Sequence, residues 1–192
     1  MAGGRARRSS AWALTVATAL AASGCIGATD RRDFEAEIER RGGGVTSELV
    51  ADPLDRLRAE IGVNDPELLS LTVSPLTRTV VMEVRDPTRR RNVDRYVSRG
   101  GRLDDPEPVR ISASDDLDAR TFRPSDLPAL DDLEGVADRA IEALEFGDAH
   151  VDSINVGVRN GAPVLSVHVS SPRSVGTAVF DGDGALLGAA QQ

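Results

Sequence analysis

The chain has one cysteine in 192 residues, one tryptophan, one tyrosine, four phenylalanines, two histidines and no lysine. A single thiol excludes an intrachain disulfide. It also removes every Cys-x₂-Cys pair, and the two histidines, His150 and His168, form no His-x₃-His pair, so the spacings that zinc requires are absent. Scarce aromatics mean that any core must be built from Val, Leu, Ile and Ala. The apolar run from Ala11 to Ala22 is the only long one near the N-terminus. At about 1.5 Å per residue its twelve residues reach about 18 Å, short of the roughly 30 Å hydrocarbon core, so it is no ordinary membrane span. Positive charge is also in deficit. Three of the 23 arginines lie in residues 1–24, which hold no acid, so the remainder carries 20 basic against 31 acidic residues, a net charge of −11. Such a balance argues against nucleic acid and against general adhesion to anionic lipid.

The first 25 residues have an order of their own. Arg5, Arg7 and Arg8 precede the uncharged run, and the small residues Ala22, Ser23 and Gly24 lead into Cys25. A basic region, an apolar region and small residues before a cut read as a secretory signal. The stretch Leu20-Ala21-Ala22-Ser23-Gly24-Cys25 resembles the bacterial lipoprotein signal, with Ala22 where that pattern prefers Leu. The resemblance implies cleavage before Cys25 and acylation of its sulfur, which would hold the chain on the extracytoplasmic face of a membrane. Stable anchoring takes more than one acyl chain. The alternative is an ordinary cleavable signal with an incidental cysteine.

Two segments align without gaps at an offset of 85, Gly62 to Pro87 and Gly147 to Pro172. Leu69, Leu71 and Val73 fall on Ile154, Val156 and Val158, and Val80, Met82 and Val84 fall on Leu165, Val167 and Val169. This two-residue alternation predicts strands with one buried face near 68–74, 79–85, 153–159 and 164–170, with third strands near 92–98 and 176–181. Val50, Leu54, Leu57 and Ile61 make a helical stripe, with Pro53 in its first turn after Asp52. Leu133, Ala137, Ala140, Ile141 and Leu144 make another, capped by Asp131 or Asp132 and stopped by Gly147. A further helix is expected at about 30–41, ending at Gly42-Gly43-Gly44.

The expected fold is therefore α+β, two tandem helix–three-strand antiparallel units with the helices on one face of the sheet. The corresponding segments are a signal at 1–24, a lipidated N-terminus with helix and glycine joint at 25–45, units at 46–103 and 130–192, and a connector at 104–129 with a short strand at Val109–Ile111. This organisation resembles PepSY and β-lactamase-inhibitor-like envelope modules, and Thr177 to Leu187 is similar to the PepSY closing strand, with Ser98 in the first unit where Asp181 stands in the second. The resemblance implies a non-catalytic binding or inhibitory module outside the cytoplasm.

Candidate chemistry is sparse. Asp181-Gly182-Asp183-Gly184 lacks the later ligands of a calcium loop and reads as a tight turn. No Gly-x-Ser-x-Gly surrounds Ser166, Ser170 or Ser171, and the acid pairs lie in connectors or helix caps. No catalytic residue, cofactor or metal is expected. Arg89, Arg90 and Arg91 form a basic patch that either grips an acidic group or is a solvated hairpin balanced by Asp86, Asp94 and Asp104. If Val80, Met82 and Val84 face the helices, Val81, Glu83 and Arg85 face away, as do Ser166, His168 and Ser170. Taking Val97 and Phe180 inward leaves Tyr96 and Val179 outward. Val81, Glu83, Arg85, Tyr96, Ser166, His168 and Val179 are then the candidate docking surface for an envelope protein or peptide. An envelope hydrolase or a structural spacer are the rival classes.

Overall fold

The computed structural model describes residues 44–192. The signal segment, Cys25 and the helix expected at 30–41 lie outside the described residues.

Helix α1 (Glu48–Ile61) buries Val50, Leu54 and Leu57 from the expected stripe, along with Leu49 and Pro53. It starts a turn earlier than the proline suggested. Leu49 and Val50 already donate to Thr46 and Ser47, so Pro53 sits inside the helix, where its ring removes one backbone bond. The helix ends at Gly62, which takes the left-handed conformation (φ 69°) and donates to the Arg58 carbonyl. Helix α2 (Leu133–Leu144) is capped by Asp132, whose carboxylate accepts from the Gly135 N–H at 3.2 Å. Its stop is Glu145, at φ 54°, two residues before the glycine expected to end it.

Nine strands follow the chain: β1 (Leu68–Ser74), β2 (Thr79–Arg85), β3 (Val93–Arg99), β4 (Arg102–Leu103), β5 (Glu107–Val109), β6 (His150–Arg159), β7 (Ala162–Ser170), β8 (Val175–Asp181) and β9 (Leu186–Gln191). They form one antiparallel sheet in the order β4-β3-β2-β1-β6-β7-β8-β9, with β5 also on β3. This overturns the expectation of two tandem helix–three-strand units. β1 pairs with β6, so the strands on either side of the connector are one ladder, and the helices do not each close a sheet of their own. The physical reason is the edge. A free-standing three-stranded sheet exposes a row of unpaired backbone groups on each side, and joining β1 to β6 satisfies one row of each. Strands β4 and β9 were not expected as ladder members, and the connector strand falls at 107–109, two residues early.

Helix α2 lies across β6, β7, β8 and β9, while α1 reaches β2 and β4 and leans on the 3₁₀ turn at Pro128–Asp132. One apolar cluster spans both halves, with Leu57 of α1, Ala140 of α2, Leu71, Met82, Val156, Val167 and Phe180. Register shifts interrupt the alternation in β1, β6 and β9, and the one in β1 and the parity of β3 bear on the outer face. A bulge between Leu68 and Ser70 turns Leu69 to the opposite face, where it packs with Val93 and with Leu117 of the connector. Tyr96 lies opposite Met82 and is only 7% exposed, so it belongs to the helix-covered core, and Val97, opposite Val81, points outward. The expectation of Tyr96 outward and Val97 inward is thus reversed; Val93 is buried on the connector side, and counting inward positions from apolar residues gives the wrong parity for β3.

Candidate binding surface

With both helices on the core face, the other face of the sheet is built from the residues that alternate with the core. One row of direct cross-strand partners crosses seven strands: Val97, Val81, Thr72, Asn155, Ser166, Val179 and Gly188. None is charged, although 28% of the chain is. All but Gly188 are half-buried. At its centre the Thr72 hydroxyl donates to Asn155 Oδ1 at 2.9 Å, and the Asn155 amide donates to Ser153 Oγ at 3.4 Å. On the β7 side, His168 lies between Ser153 and Thr177, with its Nδ1 3.0 Å from the Thr177 hydroxyl. Toward β3, Glu83 accepts from Arg95 at 2.8 Å and from Ser70 at 3.2 Å. The face therefore offers hydroxyls, an amide and two valines in its middle, with an ion pair at one end.

Of the residues expected to make this surface, Val81, Glu83, Ser166, His168 and Val179 share it. Tyr96 does not, because it is turned into the helix-covered core. Arg85 is on this face at a corner but is sealed there, 8% exposed. Its guanidinium donates to Asp118 of the connector, to Glu67 at 3.2 Å and to the Arg90 carbonyl at 2.6 Å. The Asp118 bond, ahead of the cost of burial, holds Arg85 firmly protonated. The same contact lowers the Asp118 carboxyl below its ordinary range. Thr72, Asn155 and Val97 also lie on this face, although the sequence pattern does not place them there. The polar alternation Ser70, Thr72, Ser74 hints at the first, but only the β1–β6 register brings it against Asn155.

Two of the three arginines of the patch are paired with acids, and the third is held by a backbone carbonyl. Arg89 pairs with Asp86 at 2.8 Å, Arg90 with Glu67 at 3.1 Å, and Arg91 donates to the Ala113 carbonyl at 3.4 Å. Asp86 accepts from the Arg89 N–H and from the hydroxyl and N–H of Thr88, and these bonds pull its carboxyl far below the usual range. Glu67 also accepts from Arg123 at 2.8 Å. A cleft of about 110 Å³ beside Glu67, Arg85 and Arg123, walled by Ile61, Pro66 and Pro87, is thus lined by groups already paired with one another. Of the acids expected to balance the patch and its flank, Asp86 and Asp104 do so, the latter through Arg99.

Two further groupings bear on chemistry. Asp152 accepts from the Ser170 hydroxyl and lies 3.1 Å from His150 Nε2. A hydrolytic triad places the imidazole between the hydroxyl and the carboxylate, whereas here the carboxylate is in the middle. The Asp181 carboxylate accepts from the N–H groups of Asp183 and Ala185, at 3.1 and 2.8 Å, and Gly184 takes φ 83° to close the turn. The loop is a tight turn that satisfies its own acid. Among the described residues no group of three or more His, Cys, Asp or Glu side chains is placed to hold a metal ion, and no helix is long and apolar enough to cross a membrane.

No protein-family model matches the chain, and no curated protein matches it. Among solved structures, the chain is similar to one from Clostridium difficile 630 that is provisionally described as a lipoprotein. The two are 10% identical with a TM-score of 0.49, over 74% of this chain and 91% of that one.

Proposed function

We propose that this chain is an exported lipoprotein, cut before Cys25 and acylated there, whose sheet domain works at the membrane surface as a non-catalytic module for docking a protein or peptide. The anchor reading is supported by Ala22-Ser23-Gly24-Cys25 at the end of a basic-then-apolar leader. The docking reading is supported above all by the uncharged row from Val97 to Val179. In a chain this acidic, an open sheet face bound only by water would be expected to carry charge along its middle. Its half-buried hydroxyls and amide, flanked by valines, suit an extended uncharged segment of another protein.

One set of variants tests both parts. Cys25→Ser should shift the protein from the membrane to the soluble extracytoplasmic fraction and abolish labelling by a fatty-acid probe. An unlabelled wild type would overturn the anchor. Ser166→Arg, a substitution on the half-buried outer face, should leave the melting temperature near that of the wild type. It should also abolish recovery of a partner that the wild type retains from solubilised envelope. A partner still held by Ser166→Arg and by Asn155→Arg would place docking elsewhere.

A further inference from the structure

The two ends of the sheet are treated differently. At one end the outer edge of β3 is closed by two short pieces, Arg102–Leu103 and Glu107–Val109, which bring Arg102, Glu107 and Pro108. Charge, proline and short length are the devices that keep a sheet edge from pairing with another chain. The other end has neither charge nor proline nor short length, and its one such device is a bulge at Leu187, near the start of the strand. Strand β9 runs six residues, Leu-Leu-Gly-Ala-Ala-Gln, exposed throughout, within an uncharged stretch from Gly184 to Gln192. Leu186 and Leu187 are 46% and 60% exposed, and the space beside Gly188 is open.

The register of β9 on β8 shows which backbone groups are free. Gln192 donates to the Val175 carbonyl, and Ala190 and Gly188 lie opposite Thr177 and Val179. In an antiparallel ladder the bonded positions alternate, so Ala189 and Gln191 turn their N–H and C=O groups away from β8, while a bulge between Gly188 and Leu186 leaves Leu187 as the extra residue of the strand. Ala189 is the outward position nearest the middle of the strand. We infer that this edge pairs with the β9 edge of a second copy of the chain, antiparallel, with Ala189 facing Ala189 of the other copy. A two-fold axis perpendicular to the sheet pairs the outward N–H and C=O of Ala189 in one copy with those of Ala189 in the other. It also keeps both helical layers on the same side. Two copies of net charge −8 repel over most of their surfaces, and β9 is an edge along which they can meet without opposing like charges. The inference goes beyond the docking face, which lies on the flat of the sheet, and it does not depend on the anchor.

The experiment uses the full chain with Cys25→Ser, purified from whichever fraction holds it, and follows sedimentation across a concentration series. A concentration-dependent dimer is expected. Ala189→Lys, which places two like charges against each other at the axis, should return it to a monomer with unchanged melting. Ala189→Cys in the same background should cross-link to itself through a short thiol-reactive linker, and Arg102→Cys on the opposite edge should not. A chain that stays monomeric throughout overturns the inference, even if its β9 edge captures a strand of another protein. A dimer that survives Ala189→Lys and fails to cross-link at position 189 overturns it as well.

Discussion

Leu71 lies directly opposite Val156 where β1 meets β6, and both side chains are buried, at 0% and 3% exposure. The two residues are 85 positions apart, the offset at which the two sequence segments align. Each residue is thus the cross-strand neighbour of its own counterpart, and the β1–β6 ladder continues from this pair through Thr72 and Asn155 to Val73 and Ile154. The contact sits at the seam between two segments that the connector separates. It makes their folding mutually dependent.

Leu71→Ala should therefore destabilise the whole domain by about 2–5 kcal/mol, the usual range for a buried leucine that leaves a cavity. Urea unfolding followed by both far-ultraviolet circular dichroism and tyrosine fluorescence should give one coincident transition. Two separated transitions would show that the segments fold independently.

Tyr96→Ala tests the parity of β3. An inward Tyr96 should cost about 3 kcal/mol or more, as large aromatic deletions do, while Val97→Ser on the outer face should cost under about 1 kcal/mol. Near-equal melting temperatures for the two variants would contradict the register of β3 on β2.

The starts of the two helices are tied together by one carboxylate. Glu134 accepts from the Ser47 N–H at 2.9 Å and from its hydroxyl at 2.6 Å, and the Leu133 N–H donates to the same hydroxyl at 3.2 Å. Partial burial pushes the Glu134 carboxyl up, but the bonds from Ser47 outweigh it and the group ends below its ordinary value. A folded-state value below the unfolded one gives stability that is present above the unfolded pKa, about 4.3 for glutamate. It is lost as the pH falls through the lower folded value. Glu134→Gln should therefore lower the melting temperature at neutral pH and shrink the difference from wild type as the solution is acidified below pH about 4. A difference that is constant with pH would show that the charge of Glu134 contributes nothing.

Asp118 holds the connector over the corner of the sheet. It is 79% exposed, yet it pairs with Arg85, which is 8% exposed. Asp118→Asn should leave the main core intact, because Glu67 still pairs with Arg85. It should loosen the segment that carries Arg110 and Arg120, so that trypsin cuts there several-fold faster with little change in melting temperature. Equal digestion rates would assign the hold to Leu117 and its cluster instead.

The sequence by itself determined the local elements. Apolar spacing of three and four placed both helices within a few residues, and two-residue alternation placed β1, β2, β6, β7 and β8, since a half-buried element must repeat its apolar side chains at its own period. It also determined which residues could make an outer face, and Val81, Glu83, Ser166, His168 and Val179 are there. Tertiary structure decided how the elements join. That β1 finds β6 depends on backbone groups every strand carries alike, so no side-chain pattern announces it. The bulge that turns Leu69 over and the register that turns Tyr96 inward are one-residue shifts, each of which sends a side chain to the opposite face. Arg85 reads as an exposed charge until Asp118, 33 residues away, is folded across it. Period is a local property of the chain, whereas edges, register and cover are set by segments that meet only in the folded state.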